Sequence, residues 1–282
     1  MKTLIRPARA SDKAPLMSFI KDIWNGHDYI PEVWDDWIRD RSAKMFVIEA
    51  DGRQVGMNRV RFLQDGSAWF EGVRIHPDFR GKGLASLLGG NSMKIAAARG
   101  VKVYRLTSNS RNRAAHRQVA RMRFSELARY SIYSPTGGVR LHQQTGVRRA
   151  GPEDLRFVNR TMRRSKEFQM GGGVMWDSFT AWSLTPEVIE RQVRNGSVFV
   201  SDEAVGIVGP GREGNEVWSQ ICFLCGEPKA AVQIAKHAFG AIGKADWKLA
   251  YLTQGTPLVG AFRSAGFKRS FSMVLFERRA NG

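Results

Sequence analysis

Apolar and polar residues alternate along the first 134 positions in a way that predicts short strands separated by amphipathic helices. Thr3-Leu4-Ile5-Arg6-Pro7-Ala8 reads as an edge strand. Ser11-Asp12 supplies an N-cap for a helix with Leu16, Phe19, Ile20 and Ile23 on one face. A tryptophan-rich segment from Tyr29 to Ile38 reads as a second helix. Ala43–Ala50 is a strand, Asp51-Gly52 a hairpin turn and Gln54–Phe62 the partner strand. Asp65-Gly66 turns again into Ala68–Ile75, which runs into a glycine loop and an apolar helix from Leu84 to about Ala98. A strand at Lys102–Thr107, a helix near Asn112–Met122 and a strand at Leu127–Tyr133 complete the order β-α-α-β-β-β-α-β-α-β.

The pattern breaks at Ser134-Pro135-Thr136-Gly137-Gly138 and then begins again. Gly146-Val147-Arg148-Arg149-Ala150 echoes the opening strand, and Pro152-Glu153-Asp154 echoes the helix start at Ser11-Asp12. Val198–Val200 and Ala204–Val208 repeat the hairpin. Val217 to Leu224 matches Ala68 to Ile75 position by position, which sets Gln220 opposite Glu71. The reading is an internal repeat with a period near 145 residues and two domains, 1–140 and 141–282. Within the second, Gly171-Gly172-Gly173 reads as a flexible loop placed to close over a cleft between the halves.

Composition narrows the class. A chain of 282 residues with eight Trp and sixteen Phe can build two real cores. No stretch reaches the roughly 18–20 apolar residues of a membrane span, and Met1–Arg6 runs straight into charged sequence, so no membrane partner and a cytoplasmic location are expected. Cys222 and Cys225 form a single pair with no second pair or nearby His, so no metal site is expected and both read as core or loop residues. The net charge is +18, about +12 of it in residues 1–140, which keeps nucleic acid or an acidic partner surface open.

The densest chemistry lies at Val73-Arg74-Ile75-His76-Pro77-Asp78-Phe79-Arg80-Gly81-Lys82-Gly83-Leu84-Ala85. Two glycines let backbone approach a ligand, the helix start offers N–H groups and a positive dipole end, and Arg80 and Lys82 add charge. The arrangement suits a pyrophosphate. It is not a nucleotide-triphosphatase loop, because no Ser or Thr follows Lys82. Nor is it the dinucleotide fingerprint, because Ser86 stands where the third Gly or Ala belongs. Arg-x-x-Gly-x-Ala, Arg80 to Ala85, resembles the acetyl-CoA motif of the GCN5-related N-acetyltransferases (GNAT), and the element order of residues 1–134 is similar to that family.

The resemblance implies an α/β fold (α+β, mixed sheet) of two tandem acetyltransferase-like domains, each a mixed, mostly antiparallel sheet flanked by helices. Only the first would be catalytic. The second is degenerate: Cys225-Gly226-Glu227-Pro228 replaces the loop and puts an acid where pyrophosphate would sit. The implied activity is acetyl transfer from acetyl-CoA to a primary amine of a small molecule or peptide. By the same resemblance, Val73, Arg74 and Ile75 present backbone N–H groups, Ile75 to the thioester oxygen. Gly81, Lys82, Gly83, Leu84, Ala85 and Ser86 hold the pyrophosphate, and Asn112 contacts the cofactor arm. Glu71 is either the base that takes the ammonium proton or an ion-pair partner of Arg59 or Arg61. His76 reads as a solvated loop residue. Asp28, Tyr29 and Trp34, with Trp24, Trp37 and the nearby acids, form either one wall of the acceptor site or an aromatic core stripe. Val119 stands where the family often has its tyrosine acid, leaving Ser108, Ser110, Tyr104 or water to protonate the thiolate. The alternative is a silent protein of this fold that binds nucleic acid or an acidic partner, for which Arg111, Arg113, Arg117, Arg121 and Arg123 are the nearest thing to a stripe.

Overall fold

The computed structural model describes residues 1–142, 144–241 and 247–280. The first half comprises β1 (Thr3–Pro7), α1 (Lys13–Ile20), α2 (Ile30–Arg39), β2 (Ala43–Ala50), β3 (Arg53–Phe62), β4 (Ser67–Ile75), α3 (Leu84–Ala98), β5 (Val103–Asn109), α4 (Arg113–Arg121) and β6 (Ser125–Pro135). The second half runs through β7 (Arg148–Arg149), α5 (Leu155–Arg164), α6 (Lys166–Met170), β8 (Val174–Asp177), β9 (Thr180–Ser183) and α7 (Pro186–Arg194). It ends with β10 (Val198–Val200), β11 (Ala204–Glu213), β12 (Glu216–Gly226), α8 (Pro228–Ala241), β13 (Trp247–Thr253), α9 (Pro257–Ser264) and β14 (Phe267–Arg279).

The two halves begin with the same local device. Arg6 donates to Asp12 Oδ1 at 2.6 Å while the Arg9 N–H donates to Asp12 Oδ2 at 2.7 Å. Arg148 donates to Asp154 Oδ1 at 2.8 Å and the Gly151 N–H to Asp154 Oδ2 at 2.9 Å. In each case a carboxylate ties the opening strand to the first helix.

The expected pair of sheets is one. Among the described residues a twelve-stranded sheet runs β1-β2-β3-β4-β5-β14-β6-β13-β12-β11-β10-β7. Each half has passed its last strand to the other. β14 pairs antiparallel with β5 from Met273–Asn109 to Arg279–Val103, and β6 pairs antiparallel with β13 from Ala250–Tyr133 to Thr253–Tyr130. β6 and β14 lie side by side at the centre. The exchange covers two strand edges that would otherwise stand open.

Alternation along β4 sorts the faces. Phe70 packs with Leu84, Leu88 and Val119 under α3 and α4. Trp69 points the other way, into a cluster with Trp176 and Ala181 of the β8–β9 hairpin and Tyr251 of β13. On that second face α1 and α2 cover β2 and β3 through Leu16, Phe19, Ile20 and Trp34. The hairpin is where the glycine segment leads, and that segment is no open lid. The Gly173 N–H caps α6 on Phe168 O at 2.9 Å, and Tyr130 Oη donates to Gly171 O at 2.6 Å.

Candidate functional site

β4 and β5 part company halfway along. Their parallel ladder runs from Ser67–Val103 to Trp69–Arg105 and stops, while β4 continues to Ile75. The β5-facing edge of residues 70–75 is therefore unpaired. On its other edge β4 carries a bulge against β3: Arg59 faces Glu71 and Met57 faces Arg74, so Gly72 and Val73 share one partner position. Gly72 adopts φ 66°, and a Cβ there would lie 2.6 Å from the Trp37 ring, so the bend admits only glycine.

The bulge and the alternation of antiparallel bonding decide where the N–H groups point. The His76 N–H donates to Val55 O at 2.8 Å. Its neighbour Ile75 therefore directs its own N–H away from β3 and into the open wedge. Arg74 then faces β3 with its backbone, and its guanidinium binds Asp28, Nε to Oδ2 at 2.5 Å. Arg74 is thus a structural residue, a correction to its expected place among the cofactor contacts.

The loop after β4 opens onto the same wedge. Gly81 and Gly83 take φ 78° and 79°, with nothing within 4 Å of a Cβ on either, so their backbone is open to a ligand. Among the described residues the N–H groups of 81–85 have no hydrogen-bond partner. Arg80 Nε donates to Ile75 O at 3.2 Å, tying the loop to the strand end, and Lys82 Nζ sits 4.8 Å from the Phe79 ring centre. Ser86 departs from expectation: its N–H donates to Gly83 O at 3.0 Å, so the cradle ends at Ala85. A row of open amides at a helix N-terminus, mouthed by two cations, fits a pyrophosphate.

Glu71 lies on the α2 face, beside the wedge. Arg59 hydrogen-bonds its carboxylate, Arg61 forms an ion pair with it, Nε at 3.2 Å without hydrogen-bond geometry, and Arg59 also binds Asp40. The Arg59 guanidinium stacks 4.7 Å over Trp37. Burial draws Arg59 below the usual arginine range, with Glu71 and Asp40 opposing.

Residues 14–123 match the Acetyltransferase (GNAT) family. Residues 14–123 thus carry a GNAT acetyltransferase domain. Among its relatives, the histidine N-acetyltransferase of Oreochromis niloticus is 31% identical over 103 residues, 36% of this chain and 31% of the relative. That of Scomber australasicus is 24% identical over 184 residues, 64% of this chain and 48% of the relative. The chain thus spans about a third to a half of the length of these curated relatives. Two solved structures share the fold along nearly the whole chain. A GCN5-related N-acetyltransferase from Sphaerobacter thermophilus has a TM-score of 0.63 at 14% identity, over 98% of this chain and 95% of its own. The tandem GNAT protein from the clavulanic acid biosynthesis pathway has 0.58 at 12%, over 100% and 99%.

Other expected residues sit differently. Trp34 is fully buried between α1, β2 and β3 and lines no wall. Asp28 is buried too, its charge taken by Arg74 and its Oδ1 accepting the Ile30 N–H at 3.0 Å, so neither it nor Trp34 is an acceptor contact. Tyr29 is half-buried, its ring 5.8 Å from that of Trp37, the ring that Arg59 stacks on. Trp24's side chain lies outside the described residues. Asn112 caps α4, Oδ1 accepting the Ala115 N–H at 3.1 Å, which leaves only its amide group for a cofactor. Tyr104 is buried with Oη on Val101 O, so it is no thiolate acid. His76 is wedged between Phe19 and Phe79, 4.9 and 5.7 Å away, rather than solvated. Gly72, Asp40 and Thr180, whose hydroxyl receives Arg61, were not singled out from sequence; a glycine inside a strand was the one available signal.

The second half has filled its own site. Glu227 Oε2 accepts the Ala230 N–H at 2.8 Å, placing a carboxylate at the α8 N-terminus where α3 leaves amides open. The Ala230 and Lys229 amides hold Glu227 below the usual carboxylate range. The parallel ladder persists to Ile221–Ala250, three positions further than at Trp69–Arg105 by the repeat, so the wedge is shorter. Cys222 and Cys225 are buried, and burial raises both thiols, Cys225 to about 12, which makes them inert core groups. Among the described residues no metal-binding cluster exists.

Proposed function

We propose that this protein is an acetyl-CoA-dependent N-acetyltransferase in which residues 1–140 carry the chemistry and residues 141–282 form a silent copy. The observation that supports it most is the wedge between β4 and β5, which joins the open amides of 81–85 to the inward Ile75 N–H beside Glu71. Bound acetyl-CoA supplies the acyl group as a thioester. The amides of 81–85 with Arg80 and Lys82 hold its pyrophosphate, and the free edge of β4 at Val73 orients its arm. The Ile75 N–H donates to the thioester oxygen as charge gathers there. Glu71, directly or through one water, takes the proton that the amine loses on attack. Ser108, Ser110 or water protonates the departing thiolate, since Val119 is apolar and buried and the Tyr104 hydroxyl is held by Val101 O.

The acceptor we infer is an α-amino acid, with histidine the first to test. The relatives are named for that substrate, and Arg61, partly exposed beside Glu71, suits a carboxylate. Mass spectrometry after incubation with acetyl-CoA and each proteinogenic amino acid tests this. N-acetylated product is the expected result, and none from any of them overturns it. In isothermal titration, Arg80→Ala combined with Gly83→Glu is expected to abolish acetyl-CoA binding. A second reading, nucleic-acid binding, draws on Arg113, Arg117 and Arg121, which are exposed along α4 with no ion-pair partner among the described residues. It predicts steeply salt-dependent affinity that survives the loop substitutions.

A further inference from the structure

Gln220, the counterpart of Glu71 in the second half, reaches back to the first half through one hairpin. It is fully buried and uses its whole hydrogen-bonding capacity. Oε1 accepts from Trp218 Nε1 at 3.1 Å and from the Ser178 N–H at 3.4 Å, while Nε2 donates to Asp177 Oδ1 at 3.2 Å and Pro210 O at 3.0 Å. Glutamate could not replace it, because the last two partners are acceptors. Asp177 and Ser178 belong to the turn between β8 and β9.

That turn has a single geometry. Ser178 and Phe179 both hold left-handed backbone, φ 46° and 64°, without being glycine. The Arg212 N–H fixes Ser178 Oγ at 3.0 Å, and the Phe179 ring is packed 5.3 Å from Trp218 and 6.0 Å from Tyr251. The other end of the hairpin is clamped to the first half, with the Ser183 N–H on Asp65 Oδ2 at 2.6 Å and Arg105 donating to Ser183 Oγ at 2.8 Å. Between these two anchors Thr180, 2% exposed, accepts a hydrogen bond from Arg61, whose Nε lies 3.2 Å from Glu71.

We propose that Gln220 and Thr180 are positioning residues: through the β8–β9 hairpin and Arg61 they fix the Glu71 carboxylate for proton transfer, so the silent half aligns the active one. The inference rests on the reading of Glu71 as proton acceptor. Arg59, the other cation on Glu71, is already fixed by Asp40 and Trp37, which leaves Thr180 as the hold on Arg61.

The test is steady-state acetyl transfer by the full chain from acetyl-CoA to the best amino-acid acceptor of the panel above. Thr180→Val keeps the shape and removes the hydroxyl. It is expected to lower kcat roughly tenfold, the scale of one hydrogen bond to a charged group, with KM for acetyl-CoA and melting temperature unchanged. Thr180→Ser should restore kcat, and Gln220→Leu should lower it as Thr180→Val does. In a Glu71→Gln background Thr180→Val should cost nothing further. Unchanged kcat in Thr180→Val, no rescue by serine, or a full additional loss on top of Glu71→Gln overturns the positioning role alone. Wild-type turnover in Glu71→Gln overturns the base and the positioning role together. No transfer by the wild-type chain overturns the proposed function itself.

Discussion

Gly72 answers to two constraints at once, a left-handed backbone and the Trp37 ring that a Cβ would strike. Gly72→Ala is expected to cost about 2 kcal/mol in urea unfolding and to lower kcat, because the bulge sets the direction of the Val73 and Ile75 amides. Glu71→Gln is expected to reduce kcat by about a hundredfold or more while KM for acetyl-CoA holds, read by steady-state kinetics. At this scale the Arg80–Ala85 loop was legible in the sequence because its chemistry is local. Asp28 was not. An acid among tryptophans reads the same whether it faces a ligand or a buried arginine, and the arginine that claims it is 46 residues away. Ser86 shows the same limit, since only coordinates reveal that its amide folds back onto Gly83.

Elements carry the repeat. Arg148 and the Gly151 amide draw Asp154 from 3.8 to about 2. A carboxyl depressed in the folded state binds its proton more weakly there than in the unfolded chain. Its contribution is therefore complete above about pH 4 and disappears as the pH falls toward 2. Thermal melts across that range are expected to show Asp154→Asn less stable than the parent near neutrality, with the gap closing in acid. α8 is a second case: Glu227→Ala removes the acid at its N-terminus and is expected to lower the melting temperature without creating acetyl-CoA binding in the second half, because the wedge there stays short. Strands and helices with clear periodicity were readable. The β8–β9 hairpin escaped because its turn, Asp177-Ser178-Phe179-Thr180, places Ser and Phe where glycine or asparagine would announce left-handed backbone.

The whole molecule is held by contacts between the halves. Arg105 of β5 meets Asp65 at 3.3 Å, Glu277 of β14 at 2.9 Å and Ser183 of β9, and all three charged side chains are buried. Arg105→Ala takes the buried cation from both acids, leaving Glu277 to the exposed Arg279 and Asp65 to its hydrogen bonds from Ser67 and Ser183, and is expected to cost about 3 kcal/mol in urea unfolding. The strand exchange itself could not be read from the sequence. Period-two patterns mark β6 and β14 as strands, yet Leu127–Tyr133 would suit a place beside β5 as well as one beside β13. The exchange also sets a timetable for synthesis. When residue 140 leaves the ribosome, the edge of β5 has no neighbour, and it has none until residues 267–279 are made. At ordinary translation rates that wait is roughly six to thirty seconds. Through it the first half must be shielded by chaperones or remain partly folded, and a nascent chain halted in the second half would display an unfinished sheet.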